Sequence, residues 1–226
     1  VLNPASDPDL QVLSKATTIC NDAFLTKTGE DNLYQPHGSP TEAALLILAA
    51  KAGVFKEDLE YTVVEESPFS SDRKMMSVFC REKTGSFVYA KGAPEVILPR
   101  CLWAQKNGGR EALTKEAQEK ILSINHQMTS RTLRTMAVAF KKVSSPASID
   151  GSTDYGENDL TFLGLIAMED PPRPEVHHAL SLAVKAGIKV KMITGDHRET
   201  AQAIAQEIGL KGEIMDGEQI ETASDE

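Results

Sequence analysis

A lysine, a glycine and a helix start come together at residues 91–95, Lys91-Gly92-Ala93-Pro94-Glu95. A preceding apolar stretch predicts a strand that ends at Lys91, and Pro94 suits the first position of a helix. The free N–H groups and positive dipole end of a helix N-terminus favour an anion, and Gly92 lets another group approach the backbone closely. The run indicates phosphate binding, with a plain strand-to-helix corner and a solvated lysine as the alternative.

A single large aromatic stands in a polar, partly basic run, Ser67-Pro68-Phe69-Ser70-Ser71-Asp72-Arg73-Lys74. Aromatic faces hold planar heterocycles and cations hold anionic tails, so Phe69 is a candidate platform for a base, with Arg73 and Lys74 toward phosphates. Phe69 could equally be a core residue. Arg134, ahead of a predicted strand, is a further candidate phosphate contact.

A hydroxyl, a glycine and a carboxylate follow each other at Thr194-Gly195-Asp196. They come directly after the predicted strand Ile188–Ile193, where open α/β sheets bind ligands. A hydroxyl and a backbone N–H can grip a phosphoryl group there, and Asp196 could bind Mg²⁺. Asp170 would lie at the same edge if its strand is a neighbour. The alternative is that Thr194 and Asp196 merely cap the next helix.

The elements that must position these residues fall into two groups. From Asp9 to about Lys142 the predicted order is helix, loop, helix, three strands, helix, long helix and strand, which indicates an antiparallel sheet flanked by helices. Start signals at Ser39 and Glu42 and a stop at Gly53 predict a helix from Pro40 to about Ala52.

A different pattern follows a Ser-, Gly-, Asp- and Pro-rich loop between Val143 and Asp159. It consists of an apolar strand over Leu160–Met168, a helix to Ala186, the strand Ile188–Ile193 and a helix that ends at Gly209. Alternating strands and helices with short connections predict a parallel, doubly wound sheet. The overall fold class is therefore α/β.

Composition excludes several classes of protein. The 226 residues include 33 acidic and 24 basic side chains, a net charge of −9, and 41% are hydrophobic, as in a chain with a packed core. Without clustered basic residues no nucleic-acid partner is expected. The longest apolar stretch is far short of the roughly 18 to 20 residues of a bilayer span, so no direct membrane insertion is expected. The three cysteines form no C-x-x-C pair, which favours reduced thiols over a metal centre.

Four motifs together resemble the P-type cation-transporting ATPases, pumps that phosphorylate themselves on an aspartate. They are the runs KGAPE, FSSDRK, DPPRPEV and MITGDHRETAQAIA, which occur in the family's order and approximate spacing over nearly the whole chain. The further runs C-N-D at residues 20–22 and T-E-A-A-L at residues 41–45 look most like the bacterial or archaeal calcium-pump branch of type II.

The resemblance implies a site for ATP and Mg²⁺. Phe69 would stack on adenine, Glu42 would hold the adenine end, and Lys91 and Arg134 would direct the phosphates. The implied nucleotide-binding residues are Glu42, Phe69, Lys74, Met76, Lys91, Gly92, Arg134 and Asp170. Thr194, Gly195 and Asp196 match the family's phosphoryl and magnesium environment, while Asp170 heads its hinge motif.

Three departures from the family pattern bear on this expectation. Ser39 stands where relatives often have aspartate, which still leaves a capping box with Glu42. Ser71 stands where relatives of the animal calcium pump carry arginine, so one phosphate contact is weaker or comes from Arg73. The Asp-Lys-Thr-Gly-Thr phosphorylation loop does not occur, and the run at 26–29 has threonine in place of the nucleophilic carboxylate.

The expected molecule is therefore the ATP-binding cytoplasmic portion of an integral membrane pump. Residues 1–168 are predicted to form its N-terminally truncated nucleotide-binding domain, and residues 169–226 part of a Rossmann-like, haloacid-dehalogenase-type phosphorylation domain. Its expected partners are ATP, ADP and the remaining phosphorylation, actuator and membrane domains. Calcium is the expected ion, with sodium, potassium and magnesium left open. We expect the chain alone to bind ATP weakly and turn over nothing.

Two other functions compete with this expectation. A soluble haloacid-dehalogenase-type phosphatase shares the threonine at a strand end, but it needs an N-terminal aspartyl nucleophile on a strand, and none is visible. A stand-alone nucleotide-sensing or interaction module would keep the binding pocket without the pump.

Overall fold

The computed structural model describes residues 6–28, 33–131, 133–143, 156–169, 172–194, 198–215, 217 and 219. Two compact units divide the chain. One comprises Val1–His126 and Thr135–Met168, and the other comprises Gln127–Arg134 and Glu169–Glu226. The assignment of residues 1–168 to a nucleotide-binding domain and 169–226 to a phosphorylation domain stays a prediction.

The elements from Pro8 to Met168 alternate helices with short strands. The helices are α1 (Pro8–Ile19), α2 (Pro40–Lys51), α3 (Pro94–Ile97) and α4 (Lys115–Thr129). The strands are β1 (Phe24–Thr28), β2 (Leu33–His37), β3 (Tyr61–Ser70), β4 (Met75–Glu82), β5 (Gly85–Gly92), β6 (Cys101–Lys106), β7 (Gly109–Ala112), β8 (Arg134–Val143) and β9 (Leu160–Met168). The α/β fold class is confirmed.

A seven-stranded sheet in the order β3-β4-β5-β8-β9-β6-β7 forms the centre of the first unit. The predicted sheet was purely antiparallel, and this is wrong at one pair, because β6 and β9 run parallel. The apolar strand Leu160–Met168 has the predicted bounds, but it lies inside this sheet next to β8 and β6. It is therefore not a neighbour of residues 188–193, as the edge shared by Asp170 and Thr194 would have required.

Two hairpins were missed by the sequence analysis. The predicted loop before α2 contains β1 and β2, which pair antiparallel from Phe24↔His37 to Thr28↔Leu33. The second hairpin is β6 and β7, which begins directly after Arg100. Both are short and carry polar side chains on exposed faces, so neither gives the alternating apolar pattern by which a strand is recognised.

Apolar side chains on the two faces of the sheet build separate cores. Alternate residues of β4 point to opposite faces, as pleating requires. One face packs with α1 and α2 around Leu13, Ala16, Ile19, Cys20, Leu45, Met76, Val78, Cys80, Tyr89, Val138 and Ile166. The other face packs around Met75, Ala90, Ile97, Leu98, Cys101, Leu113, Ala137, Ala139, Leu160 and Phe162.

Local signals set the ends of α2 as predicted. The Ser39 hydroxyl accepts a hydrogen bond from the Glu42 backbone N–H at 3.3 Å, and Pro40 takes the first helical position. Gly53, at φ +76°, follows the helix in the left-handed conformation that favours glycine. This capped start fixes Glu42 in the first turn.

The second unit contains α5 (Pro174–Lys185) and α6 (Arg198–Glu207). Gly187 and Gly209 end these helices with φ values of +75° and +76°, as their positions predict. The predicted strand Ile188–Ile193 is wrong, since these residues have no regular secondary structure. Ile193 is 95% exposed, and the described residues offer no neighbouring strand to this β-branched run.

Among the residues that the structure describes, no helix combines the length and the apolar character needed to cross a membrane.

Candidate nucleotide site

A buried ion pair joins β5 to α2. The ammonium of Lys91 donates to Oε1 of Glu42 at 2.6 Å, and the lysine side chain is only 4% exposed. The alternative of a solvated lysine at this corner is therefore wrong. Lys91 points to the face packed by α1 and α2 because it alternates with the Ala90 side chain on the opposite face.

The chain segment before β1 holds Glu42 in place. Asn21 is buried, and its side-chain amide donates to the Glu42 backbone carbonyl at 3.0 Å. The Asp22 backbone N–H reaches Oε1 of Glu42 at 3.4 Å, the same oxygen that Lys91 uses. Lys56 closes this segment by donating to the Asn21 carbonyl at 3.0 Å.

Gly92 lies where two strands meet without room for a side chain. A Cβ at this position would lie 2.5 Å from the carbonyl oxygen of Lys74 and 2.7 Å from Cβ of Met75. The Ala93 backbone N–H donates to that Lys74 oxygen at 2.9 Å. Glycine is therefore required by contact between the end of β5 and the turn before β4.

A β-bulge presents Phe69 at the same edge of the sheet. The register of β3 and β4 shifts between Ser67↔Ser77 and Ser70↔Met75, so two residues, Pro68 and Phe69, lie opposite Met76 alone. Phe69 is 59% exposed, which makes the alternative of a core residue wrong. Met76 in turn pairs with Lys91 on β5.

Phe69 and Lys91 thus belong to one row across three strands. Neighbouring strands lie about 4.8 Å apart, which separates their backbones by about 10 Å. Lys74, at the end of the intervening turn, is 59% exposed and has φ +52°, a left-handed conformation unusual for a residue with a side chain. Its ammonium lies 4.0 Å from Glu95.

Acidic groups surround the adjoining end of β3. The pKa of the Glu66 carboxyl is raised, first by desolvation and then by the negative charge of Asp22, against the lowering effect of Lys56. Burial also raises the pKa of the Cys20 thiol to about 12, although the positive charge of Lys91 opposes this. This part of the site is thus anionic beside Lys56 and Lys91, and cationic toward Lys74.

The Arg73 guanidinium is engaged in internal contacts. It forms an ion pair with Glu157 and donates to the Ser67 hydroxyl. We expected Arg73 to supply the phosphate contact that Ser71 cannot make, and this geometry does not support that role. Arg73 instead belongs to the framework beneath Phe69.

The remaining predicted site residues divide by position. Met76 is 1% exposed and packs in the core with α1 and α2, so its side chain lies beneath the row rather than on its surface. Arg134 is exposed at the start of β8. Thr194 is exposed in the second unit, while Asp170, Gly195 and Asp196 lie outside the described residues.

Two residues of this region were missed as site residues. Asn21 was noted only as part of the C-N-D run, and nothing in its spacing indicates that it supports Glu42. Glu157 lies in the predicted Ser- and Gly-rich loop, where a buried carboxylate is not expected from composition.

Comparison with known proteins places this site in a family. Residues 9–175 match the family described as P-type ATPase, cytoplasmic domain N. A calcium-transporting ATPase of Bacillus subtilis is 40% identical over 96% of this chain and 25% of its own length. Calcium-transporting ATPase 1 of Lactococcus lactis is 39% identical over 94% of the chain and 24% of its own length.

A more distant organism contributes a relative with another ion in its name. The sodium/potassium exporting P-type ATPase of Schizosaccharomyces pombe is 36% identical over 100% of the chain and 23% of its own length. The chain belongs to the P-type ATPase family. It spans about a quarter of the length of these relatives.

Proposed function

We propose that this chain binds ATP, and equally ADP, at the edge of the sheet formed by β3, β4 and β5. The observation that carries the proposal is the row from the exposed ring of Phe69 to the buried Lys91–Glu42 pair, with Lys74 in the turn beside it. An aromatic ring left 59% exposed offers a face on which adenine can stack.

The charges beside Phe69 suit the two ends of a nucleotide. The carboxylate of Glu42 accepts hydrogen bonds, as the amino group of adenine requires, and the ammonium groups of Lys74 and Lys91 attract phosphates. Lys91 has three donors, of which one is directed to Glu42. Arg134 completes the proposed phosphate contacts, as the family resemblance implies.

Mg²⁺ would enter with the nucleotide and offset the charge of its phosphates. We assign Thr194, Gly195 and Asp196 to the phosphoryl and magnesium environment and Asp170 to the hinge, on the family resemblance alone. Thr194 is exposed, which is compatible with this role. No protein residue is proposed as a permanent metal ligand.

For the whole pump we propose ATP hydrolysis through an aspartyl-phosphate, coupled to transport of a cation, with this chain on the cytoplasmic face of the membrane. Calcium is the proposed ion because the Bacillus and Lactococcus relatives are named as calcium-transporting. The sodium/potassium name of the Schizosaccharomyces relative makes those ions the alternative.

An NMR titration of the ¹⁵N-labelled chain with ATP tests the binding proposal. We expect saturable shifts of the backbone amides of residues 69–74 and of Lys91 and Gly92. The amides of β7, at the opposite edge of the sheet, serve as the internal control. Shifts that are absent, or that concentrate away from β3, β4 and β5, would contradict the site.

A further inference from the structure

Glu157 is a buried carboxylate that no predicted role uses. It lies just ahead of β9, and its side chain is 6% exposed. Its Oε1 accepts a hydrogen bond from the Ser77 hydroxyl at 2.5 Å and an ion-paired contact from the Arg73 guanidinium. Arg73 also donates to Ser67. A buried charge with this many partners defines a single geometry for the groups around it.

These partners enclose the bulge that carries Phe69. Ser67 and Ser77 are the cross-strand pair at which the regular register ends, and Arg73 lies in the turn that leads into β4. The Arg73 backbone N–H also donates to the Ser70 hydroxyl at 3.3 Å. The cluster of Glu157, Arg73, Ser67 and Ser77 therefore ties both ends of the segment from Ser67 to Arg73 to one carboxylate.

We propose that Glu157 is a positioning residue for the nucleotide site. It holds the bulge and the following turn in one conformation, so that Phe69 and Lys74 meet the ligand without first having to be ordered. Packing alone does not fix Phe69, because its ring is largely exposed. The role in nucleotide affinity rests on the proposed function, whereas the ordering of the segment is a property of the free chain.

A second ion pair of the same unit provides a matched control. Glu82 pairs with Lys15 at exposures of 5% and 32%, against 6% and 33% for Glu157 and Arg73. Glu82 also accepts a hydroxyl hydrogen bond, from Tyr89 at 2.7 Å. It lies at the far end of β4, away from the bulge. A loss of general stability should therefore affect the two pairs alike.

The experiment compares Glu157→Gln and Glu82→Gln in the full chain by amide hydrogen exchange and by calorimetric titration with ATP. We expect both variants to lower the melting temperature. Only Glu157→Gln should speed amide exchange across residues 69–74, and only it should raise the Kd for ATP, by about fivefold or more. In a Phe69→Ala background the same change should raise the Kd much less, since the ring to be positioned is gone.

Each outcome decides between the proposals. Unchanged exchange at residues 69–74 in a folded Glu157→Gln variant, or equal effects of the two variants on that exchange, would overturn the positioning role. If exchange speeds up but the wild-type chain does not bind ATP, the proposed function fails and the ordering role stands. Should Glu157→Gln not fold, Arg73→Lys keeps the charge but loses the planar fork, and the same exchange comparison applies.

Discussion

Lys91 is more deeply buried than the carboxylate with which it pairs, at 4% exposure against 18% for Glu42. Removing one partner of such a pair leaves the other charge in a poorly solvated position, and the cost follows the burial of the charge that remains. The two halves of the pair are therefore unequal in what they contribute to stability.

Glu42→Gln should lower the free energy of unfolding by about 3 kcal/mol, because it strands the buried ammonium. Lys91→Met, which fills similar space without a charge, should cost about 1 kcal/mol. Urea unfolding followed by circular dichroism measures both. Glu60→Gln, in the exposed pair with Lys83, is the control and should change stability by less than about 0.5 kcal/mol. A larger loss for Lys91→Met than for Glu42→Gln would contradict this asymmetry.

Gly92→Ala should destabilise the chain by about 1–3 kcal/mol, since the new methyl group would collide with backbone and Met75. The collision also displaces the carbonyl of Lys74, so ATP affinity should fall with stability. Gly212→Ala is the control, because nothing lies within 4 Å of a Cβ there. Equal thermal stability of the two variants would show that the close approach is not required.

The thiols should be inert in the folded chain at pH 8. Burial raises the pKa of Cys20, Cys80 and Cys101 to about 12, with the charge of Glu82 adding to the effect at Cys80. Nearly all of each thiol is then protonated, and the thiolate is the reactive form. A colorimetric disulfide reagent should react in urea but not under native conditions. Rapid reaction of the native chain would contradict the burial of the thiols.

Glu66 should make the fold less stable as the pH rises. Its raised pKa means that the folded chain binds the proton more tightly than the unfolded chain does. The favourable contribution is therefore complete below the unfolded value of about 4.3 and is lost as pH rises through the folded value. Glu66→Gln should raise stability at pH 7, by at most about 0.5 kcal/mol because the side chain is exposed. Thermal melts that show the same gain below pH 4 would contradict this cause.

Several parts of the site could be predicted because their signals are local. Ser39, Pro40 and Glu42 specify a helix start within four residues, and the close approach at Gly92 follows from a glycine at a strand end. The hairpin of β4 and β5 shows the alternating pattern that a half-buried strand requires.

The rest depends on contacts between distant segments. Glu157 lies 84 positions from Arg73 along the chain, and nothing in its own neighbourhood predicts burial. The apolar run Ile188–Ile193 has a strand-like composition, but a strand also needs a partner to pair with. The position of β9 within the first sheet likewise follows from its pairing with β6, a choice that its own sequence does not reveal.

The most direct test of the central claim is a calorimetric titration of ATP into the wild-type chain and into Phe69→Ala. Leu102→Ala is the control, because this apolar side chain is 54% exposed on β6, away from β3 in the sheet order. The proposed site predicts saturable binding whose Kd rises about tenfold or more in Phe69→Ala, as the loss of base stacking requires, and stays unchanged in Leu102→Ala. Equal affinity of Phe69→Ala and the wild type would contradict the site.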